Sequence, residues 1–340
     1  MRSVCVQEAQ GMVLCHDITR IVPGEGKGPA FRKGHVVTDA DIPVLLGLGK
    51  EHIHVWEPGE NAVHEDEAAL AIAAALAGEG VRIGQPCEGR VNLTADRQGL
   101  LAVDKDALRR LNSVEEVTIA TLHGDVAVPP GKVLAGARVV PLAVARDRLD
   151  RVAAVTAETG PVVSVLPFRP LRVGVVTTGS EVYHGRIADR FGPVLRRKFS
   201  ELGSAVTRQI IVPDDLDMIV RAVSWLLDEG AQMIAVTGGM SVDADDLSPT
   251  AIRSLGGDIV TYGSPTFPGA MFMLAYVGQV PVVGLPGCVM YHEASIFDLT
   301  VPRILAGKRL ARADIVELGY GGLCAMCPQC RFPDCGFGRH

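Results

Sequence analysis

The chain has 340 residues, 48% hydrophobic and 21% charged, which sets an expectation of about two domains with a sizeable buried core. Its 38 Gly and 21 Pro are spread among apolar runs, which excludes a collagen-like, low-complexity or wholly disordered chain. A formal net charge of −6 argues against a general nucleic-acid binder, because affinity for phosphate backbones needs a positive surface. The longest apolar run, Ala68 to Ala77, is flanked by Glu67 and Glu79 and is about half the length of a bilayer span. It reads as a core helix, so no membrane association is expected. The start MRSVCVQEAQG has neither a sustained apolar region nor a cleavage pattern, and the expected location is the cytoplasm.

From Met1 to about Trp56 the pattern is short strand-like pieces with turn punctuation: GMVLCHDITRIV, the loop PGEGKGP, KGHVVT, a short helical DADIPVLLGLG and the strand HIHVW. Glu65 to Ala77 reads as an Ala-rich helix, followed by strands at GRVNLTA, GLLAVD and VTIATL with a short helix from Asp104 to Leu111. VPPGKVLAGARVVPLAVA has the Gly/Pro spacing of a further strand pair. Residues 1–167 are therefore expected to form a mixed α+β region of one or two subdomains.

The grammar changes at Pro167-Phe168-Arg169-Pro170, where two prolines in four residues mark a boundary. Regular alternation follows: the strand LRVGVVTT, a helix from about Pro193 to Leu202, the strand AVTRQIIV, a helix over Leu216 to Asp228, and the strand AQMIAVT. Then come a helix near Pro249 to Leu255, the strand DIVTYG, a variable PTFPGAMFMLAYV, the strand VPVVGL and a helix beginning around Tyr291. Near-continuous apolar strands separated by helices predict an α/β domain over residues 168–320, a doubly wound and mostly parallel sheet covered on both faces.

Three of these strands end in glycine turns, VVTTGSE, IAVTGGMS and VVGLPGC. In an open parallel sheet that edge leaves unpaired N–H groups and helix starts around a crevice. Glycine lets backbone approach an anion, and Thr178, Ser180 and Ser241 add hydroxyls. Each turn alone is no more than a strand-to-helix connection; three together point to an anion site. Acids gather at the same edge: Glu181, Asp189, Asp214, Asp215, Asp243, Asp245 and Asp246. Beside a phosphate they make sense if Mg²⁺ bridges carboxylate and phosphate. Helix capping is the competing role, favoured for Asp214, with a mixed role for Asp246.

The succession TTGSE, GRIAD, LGSAV, VPDD, TGGMSVDADD and LPG, from about Leu171 to Gly307, resembles the molybdopterin-binding domain shared by molybdopterin adenylyltransferases and molybdopterin molybdenumtransferases. The resemblance implies a pterin phosphate held at Thr178, Gly179, Ser180, Glu181, Gly238, Gly239, Ser241, Pro286 and Gly287. It places catalytic acids at Asp246, Asp189 and Asp215, with Mg²⁺ expected on Asp246 together with Asp215 or Asp189. The activity it implies is insertion of molybdate or tungstate into adenylylated molybdopterin, with a molybdo- or tungstoenzyme as client and a homo-oligomer as the assembly. A non-catalytic cofactor carrier or redox sensor is the alternative. Where those transferases show Pro-Gly-Lys-Pro and Leu-Pro-Gly-Asn-Pro, this chain has Pro268-Gly269-Ala270-Met271 and Leu285-Pro286-Gly287-Cys288-Val289, and Phe191 stands where an asparagine is expected. These departures keep the backbone cradle and the acids and remove polar side chains. The N-terminal GMVLCHDIT and the KGHVV to IHVW stretch share loose features with the molybdenumtransferases.

Cys288 reads either as a small apolar thiol behind a strand or as a soft ligand at the site's mouth. Cys324, Cys327, Cys330 and Cys335 make a C-x₂-C-x₂-C-x₄-C tail within residues 321–340. That density of thiols signals a metal: a [4Fe–4S] cluster by the successive x₂ spacing, or Zn²⁺ given the x₄ step.

Overall fold

The computed structural model describes residues 2–22, 26–55 and 61–339. Pro23, Gly24 and Glu25 of the expected loop, and Trp56 at the end of HIHVW, lie outside the described residues. Packing divides the chain into two units: Met1–Asp96, Val103–Leu122 and Gly131–Ser164 form the first, and Arg97–Ala102, His123–Pro130 and Val165–His340 the second. Among the described residues no helix is long and apolar enough to cross a membrane.

In the first unit, Arg2–Cys5 pairs antiparallel with His52–Val55, and Ile18–Val22 with Gly26–Phe31. Val4, Val6, Leu14, Leu45 and Ile53 bury a small core beneath them. The expected strand KGHVVT contributes an isolated bridge at Val36, and Gly26–Phe31 overlaps the expected loop. A four-stranded antiparallel sheet follows, in the order Val81–Ile83, Arg90–Ala95, Val133–Val139, Val117–Thr121. Alternation decides its faces: Val91, Leu93, Ala95, Ala135, Ala137, Val139 and Ile119 are buried, with helix Glu65–Leu76 packed on this sheet. That helix turns Ala68, Ala69, Ile72, Ala73 and Leu76 inward, and its small side chains allow a close approach. The expected strand pair in VPPGKVLAGARVVPLAVA is corrected. Its two strands do not pair with each other, since Val133–Val139 joins the four-stranded sheet and Ala143–Ala145 pairs with Ala62–His64. Helix Arg146–Thr159 has no counterpart in the sequence reading; its first turns are charged and Val152 is its one buried residue, so its apolar period is faint.

The second unit is built on a six-stranded sheet. Its strands are β1 (Arg172–Thr178), β2 (Ala205–Val212), β3 (Met233–Thr237), β4 (Asp258–Tyr262), β5 (Met273–Val277) and β6 (Val280–Leu285), in the order β2-β1-β3-β6-β5-β4. The first four in that order are parallel, and β5 alone is reversed, pairing antiparallel with both β6 and β4, which confirms the mostly parallel α/β expectation and resolves the variable segment as strand β5. The helices are α1 (Ser180–Tyr183), α2 (Phe191–Glu201), α3 (Leu216–Asp228), α4 (Ser248–Ser254), α5 (Cys288–Tyr291), α6 (Ile296–Leu305) and α7 (Arg312–Glu317).

Alternate strand residues feed two cores. Val173, Val175, Met233, Ala235, Val283 and Leu285 pack with Leu195 and Phe199 of α2 and with α6 and α7. Val176, Ile234, Val236 and Val282 pack with Ile219, Val223 and Leu226 of α3 and with α4. Both faces are therefore covered, which is why the strands read as continuous apolar runs instead of alternating ones. Each fully buried Val, Leu or Phe contributes about 1.5–3 kcal/mol relative to exposure. A capping box of Ser295 and Asp298 starts α6, and buried Lys198 of α2 reaches Asp298 at 2.7 Å.

Candidate functional site

The ends of β1 and β3 lie side by side in the parallel ladder, with Thr177 paired to Thr237. The chain leaves both through glycine turns. Gly238 has φ +84, and a Cβ there would collide with the carbonyl oxygen of Thr178. Only glycine satisfies both demands. The turn is held from below by Ser248, whose hydroxyl donates to the Gly238 carbonyl at 2.8 Å and whose N–H reaches the Gly239 carbonyl at 3.2 Å. Tyr262 donates its hydroxyl to the carbonyls of Met240 and Ser241, each at 3.3 Å; burial pushes its phenol up from the ordinary value, keeping it a donor.

Above these turns opens a cleft of about 880 Å³. Thr177, Thr178, Gly179, Gly238 and Gly239 lie along its floor side, and Glu181, Asp189, Asp214, Asp243, Asp245 and Asp246 bring carboxylates to it. Arg190 is the one cation among the lining residues. Ile187, Phe191, Met290 and Tyr291 add apolar and aromatic surface, and Tyr291 is 75% exposed.

The structure thus gathers Thr178, Gly179, Glu181, Gly238, Gly239, Asp189 and Asp246 from the expected set. Ser180 does not line the cleft but braces it: its N–H donates to Asp214 Oδ2 at 2.8 Å, and the Asp214 N–H returns to the Ser180 hydroxyl at 3.4 Å. Ser241 is exposed, Pro286 is buried and Gly287 is exposed, and none of the three is among the lining residues.

Asp214 and Asp215 exchange the roles expected of them. Asp215 is the N-cap of α3, accepting from the Met218 N–H at 2.8 Å, while Asp214 lines the cleft. Cys288 starts α5, two residues before the lining residue Met290, without itself lining the cleft, and burial pushes its thiol up.

The cleft acids are held largely by backbone N–H groups. Asp189 accepts from the N–H groups of Phe191 and Gly192 and from Gln209 Nε2 at 2.7 Å, and Asp246 accepts from the Asp243 N–H at 2.9 Å. Of the expected Mg²⁺ ligands, Asp215 caps α3 through Oδ1 and Asp246 holds the Asp243 N–H through Oδ2. Among the described residues no three His, Cys, Asp or Glu side chains are grouped to hold a metal ion. The same holds for the metal expected at the tail, whose thiols are not gathered as they stand. Cys324 and Cys335 are partly buried against the α2/α6 core and Cys327 and Cys330 are exposed. The Cys324 N–H is tied to the Phe267 carbonyl at 2.8 Å, and buried Phe337 holds the far end.

Arg190, Ile187, Met290 and Tyr291 are cleft residues that the sequence reading missed. Each follows an expected loop or turn by a few positions, and no spacing rule selects it.

Comparison with known proteins places this geometry in context. Residues 174–306 match the family model described as "Probable molybdopterin binding domain", and residues 3–57 match a domain of unknown function. The stretch of the second unit from β1 through α6 is thus similar to that probable molybdopterin-binding domain. A CinA-like protein of Mycobacterium sp. (strain MCS) is 36% identical over 90 residues, covering 26% of this chain and 21% of that protein. The corresponding protein of Mycobacterium avium (strain 104) is 33% identical over the same length and coverage. The chain spans about a fifth of the length of these curated relatives. Among solved structures, the molybdopterin biosynthesis enzyme MoaB of Thermus thermophilus is 20% identical with a TM-score of 0.34, covering 41% of this chain and 98% of that one. The tungsten cofactor synthesizing protein MoaB of Pyrococcus furiosus is 23% identical with a TM-score of 0.34, covering 42% and 98%.

Proposed function

We propose that the second unit binds molybdopterin, or its adenylylated form, in the strand-end cleft and acts in assembly of the molybdenum or tungsten cofactor. The observation that carries this reading is the Gly238-Gly239 turn packed on the end of β1, which opens backbone to an anionic ligand inside the segment that matches the family. In this reading the glycine turns and Thr178 take the pterin phosphate, Arg190 supplies the positive charge, and the exposed Tyr291 ring lies against the heterocycle. The chain's contribution is orientation: holding the dithiolene still while molybdate or tungstate reaches it. No step in this account is routed through Mg²⁺.

A second reading, a carrier that binds the cofactor without turnover, is favoured by one observation. Asp189, Asp215 and Asp246 all accept backbone N–H groups, which suits loop anchoring better than proton or metal traffic. Purified protein given adenylylated molybdopterin and molybdate decides between them: cofactor formation supports insertion, and tight binding without product supports the carrier. Asp246→Ala should abolish turnover in an insertase and only weaken binding in a carrier. For the tail, the spacing of Cys324, Cys327, Cys330 and Cys335 supports a thiolate-bound iron–sulfur or zinc centre only if the loop closes when loaded. Iron, zinc and sulfide content of anaerobically isolated protein, with its visible spectrum, tests this.

A further inference from the structure

The four-stranded sheet of the first unit buries one side of its strands, and the other side carries a hollow of about 350 Å³. Two rows of residues cross it. Thr118, Arg138 and Arg90 stand in register across three strands, and Ala120, Gly136 and Asn92 form the adjoining row. Two arginines directly opposite each other on neighbouring strands repel. Arg138 Nη2 lies 3.9 Å from Glu65 Oε2, too far for a charge-assisted hydrogen bond, and Arg138 Nε donates to the Val139 carbonyl at 3.3 Å, which leaves the Nη groups for a ligand. Glu65 is not a lining residue, and no Asp or Glu lines the hollow among the described residues.

Gly136 lies in the interior of a central strand, where glycine weakens pairing and packing and marks close approach by a ligand or another backbone. Its φ is not in the left-handed region, so the backbone does not require glycine there. A Cβ would meet Asn92 Oδ1 at 3.4 Å and the Arg90 side chain at 3.5 Å; what the residue leaves open is space between the polar groups. Thr118 and Thr121 add hydroxyls at the rim, while Val133 and Leu122 make part of the floor apolar.

We infer that this hollow binds a small phosphate monoester with a flat apolar body, its phosphate held between Arg90 and Arg138 and its body laid over Gly136. Two guanidinium forks match the double charge and several oxygens of a phosphate monoester, and the anion relieves the repulsion between them. The site is independent of the strand-end cleft, since all its residues belong to the first unit.

Calorimetric titration of the full chain with phenyl phosphate and with inorganic phosphate tests the assignment. Saturable binding of phenyl phosphate is expected, weakened at least tenfold in Arg90→Gln/Arg138→Gln and unchanged in the cleft variant Asp214→Ala. Inorganic phosphate should bind more weakly, and Gly136→Val should weaken the ester more than the bare ion. Both arginines are exposed, so these variants should melt with the wild type; Arg90→Lys/Arg138→Lys, which keeps charge without the fork, should bind between the two. Undiminished binding in the Gln variant, loss of binding in Asp214→Ala, equal affinity for ester and bare phosphate, or preference for a single-stranded oligonucleotide would each overturn the proposal.

Discussion

The strand-end cleft draws its walls from segments as distant as Thr177 and Tyr291, whereas the tail carries four cysteines between positions 324 and 335. Read along the chain, the tail is the stronger motif and each glycine turn is weak. In space the order reverses. Parallel strands bring the turns after β1 and β3 to one edge whatever their separation in sequence. Among the described residues the tail thiols are not grouped; the Cys324 N–H is bonded to the Phe267 carbonyl and Phe337 is buried in the core. Topology, more than proximity in sequence, decides which side chains meet.

The contrast breaks most readily at Gly238. Gly238→Val places a side chain against the Thr178 carbonyl in a left-handed backbone, and a loss of about 2–4 kcal/mol on denaturant unfolding is expected, with pterin binding gone. A variant of wild-type stability would show that the two strand ends do not need this close contact. At the next level of effect, Asp214→Ala removes the brace of the Ser180 turn and should cost about 1–2 kcal/mol together with pterin affinity. Asp215→Ala should cost about 1 kcal/mol through the lost α3 cap while leaving affinity intact. Equal effects on affinity would return Asp215 to the site.

The thiols sharpen the other half. Iodoacetamide followed by peptide mapping should label exposed Cys87, Cys327 and Cys330 before half-buried Cys288, with buried Cys15 last. The thiolate is the reactive form, and with its thiol pushed up by burial Cys288 should gain reactivity only at a pH above the ordinary thiol range. Labelling of Cys288 at neutral pH ahead of the tail would contradict its burial. The smallest effect belongs to Cys327→Ser/Cys330→Ser, expected to stay within about 0.5 kcal/mol of wild type in metal-free protein. A large drop in melting temperature accompanied by lost iron or zinc would mean that the loaded tail has a different arrangement.

Much of the second unit was legible in the sequence because its central strands are continuous apolar runs and its helices carry a clear period; the edge strand Ala205–Val212 and helix Leu216–Asp228 emerge with the expected bounds. The first unit was less so. Short strands such as Ala143–Ala145 carry too few residues to declare a partner, and the charged start of Arg146–Thr159 hides its buried face. In the site, the glycine turns were readable from composition. The choice between Asp214 and Asp215 was not, since both precede α3 and only the extended backbone at Asp215 turns its carboxylate onto the Met218 N–H. Arg190 and Tyr291 carry no local signature; the fold alone brings them to the cleft.

The central claim, pterin binding in the strand-end cleft, is tested most directly by anaerobic fluorescence titration of the wild type, Arg190→Gln and Tyr291→Ala with molybdopterin. Both side chains are exposed, so the variants should fold normally. Saturable binding to the wild type, at least tenfold weaker in Arg190→Gln and measurably weaker in Tyr291→Ala, is the predicted result. Absence of saturable binding, or variants that bind as the wild type does, would contradict it.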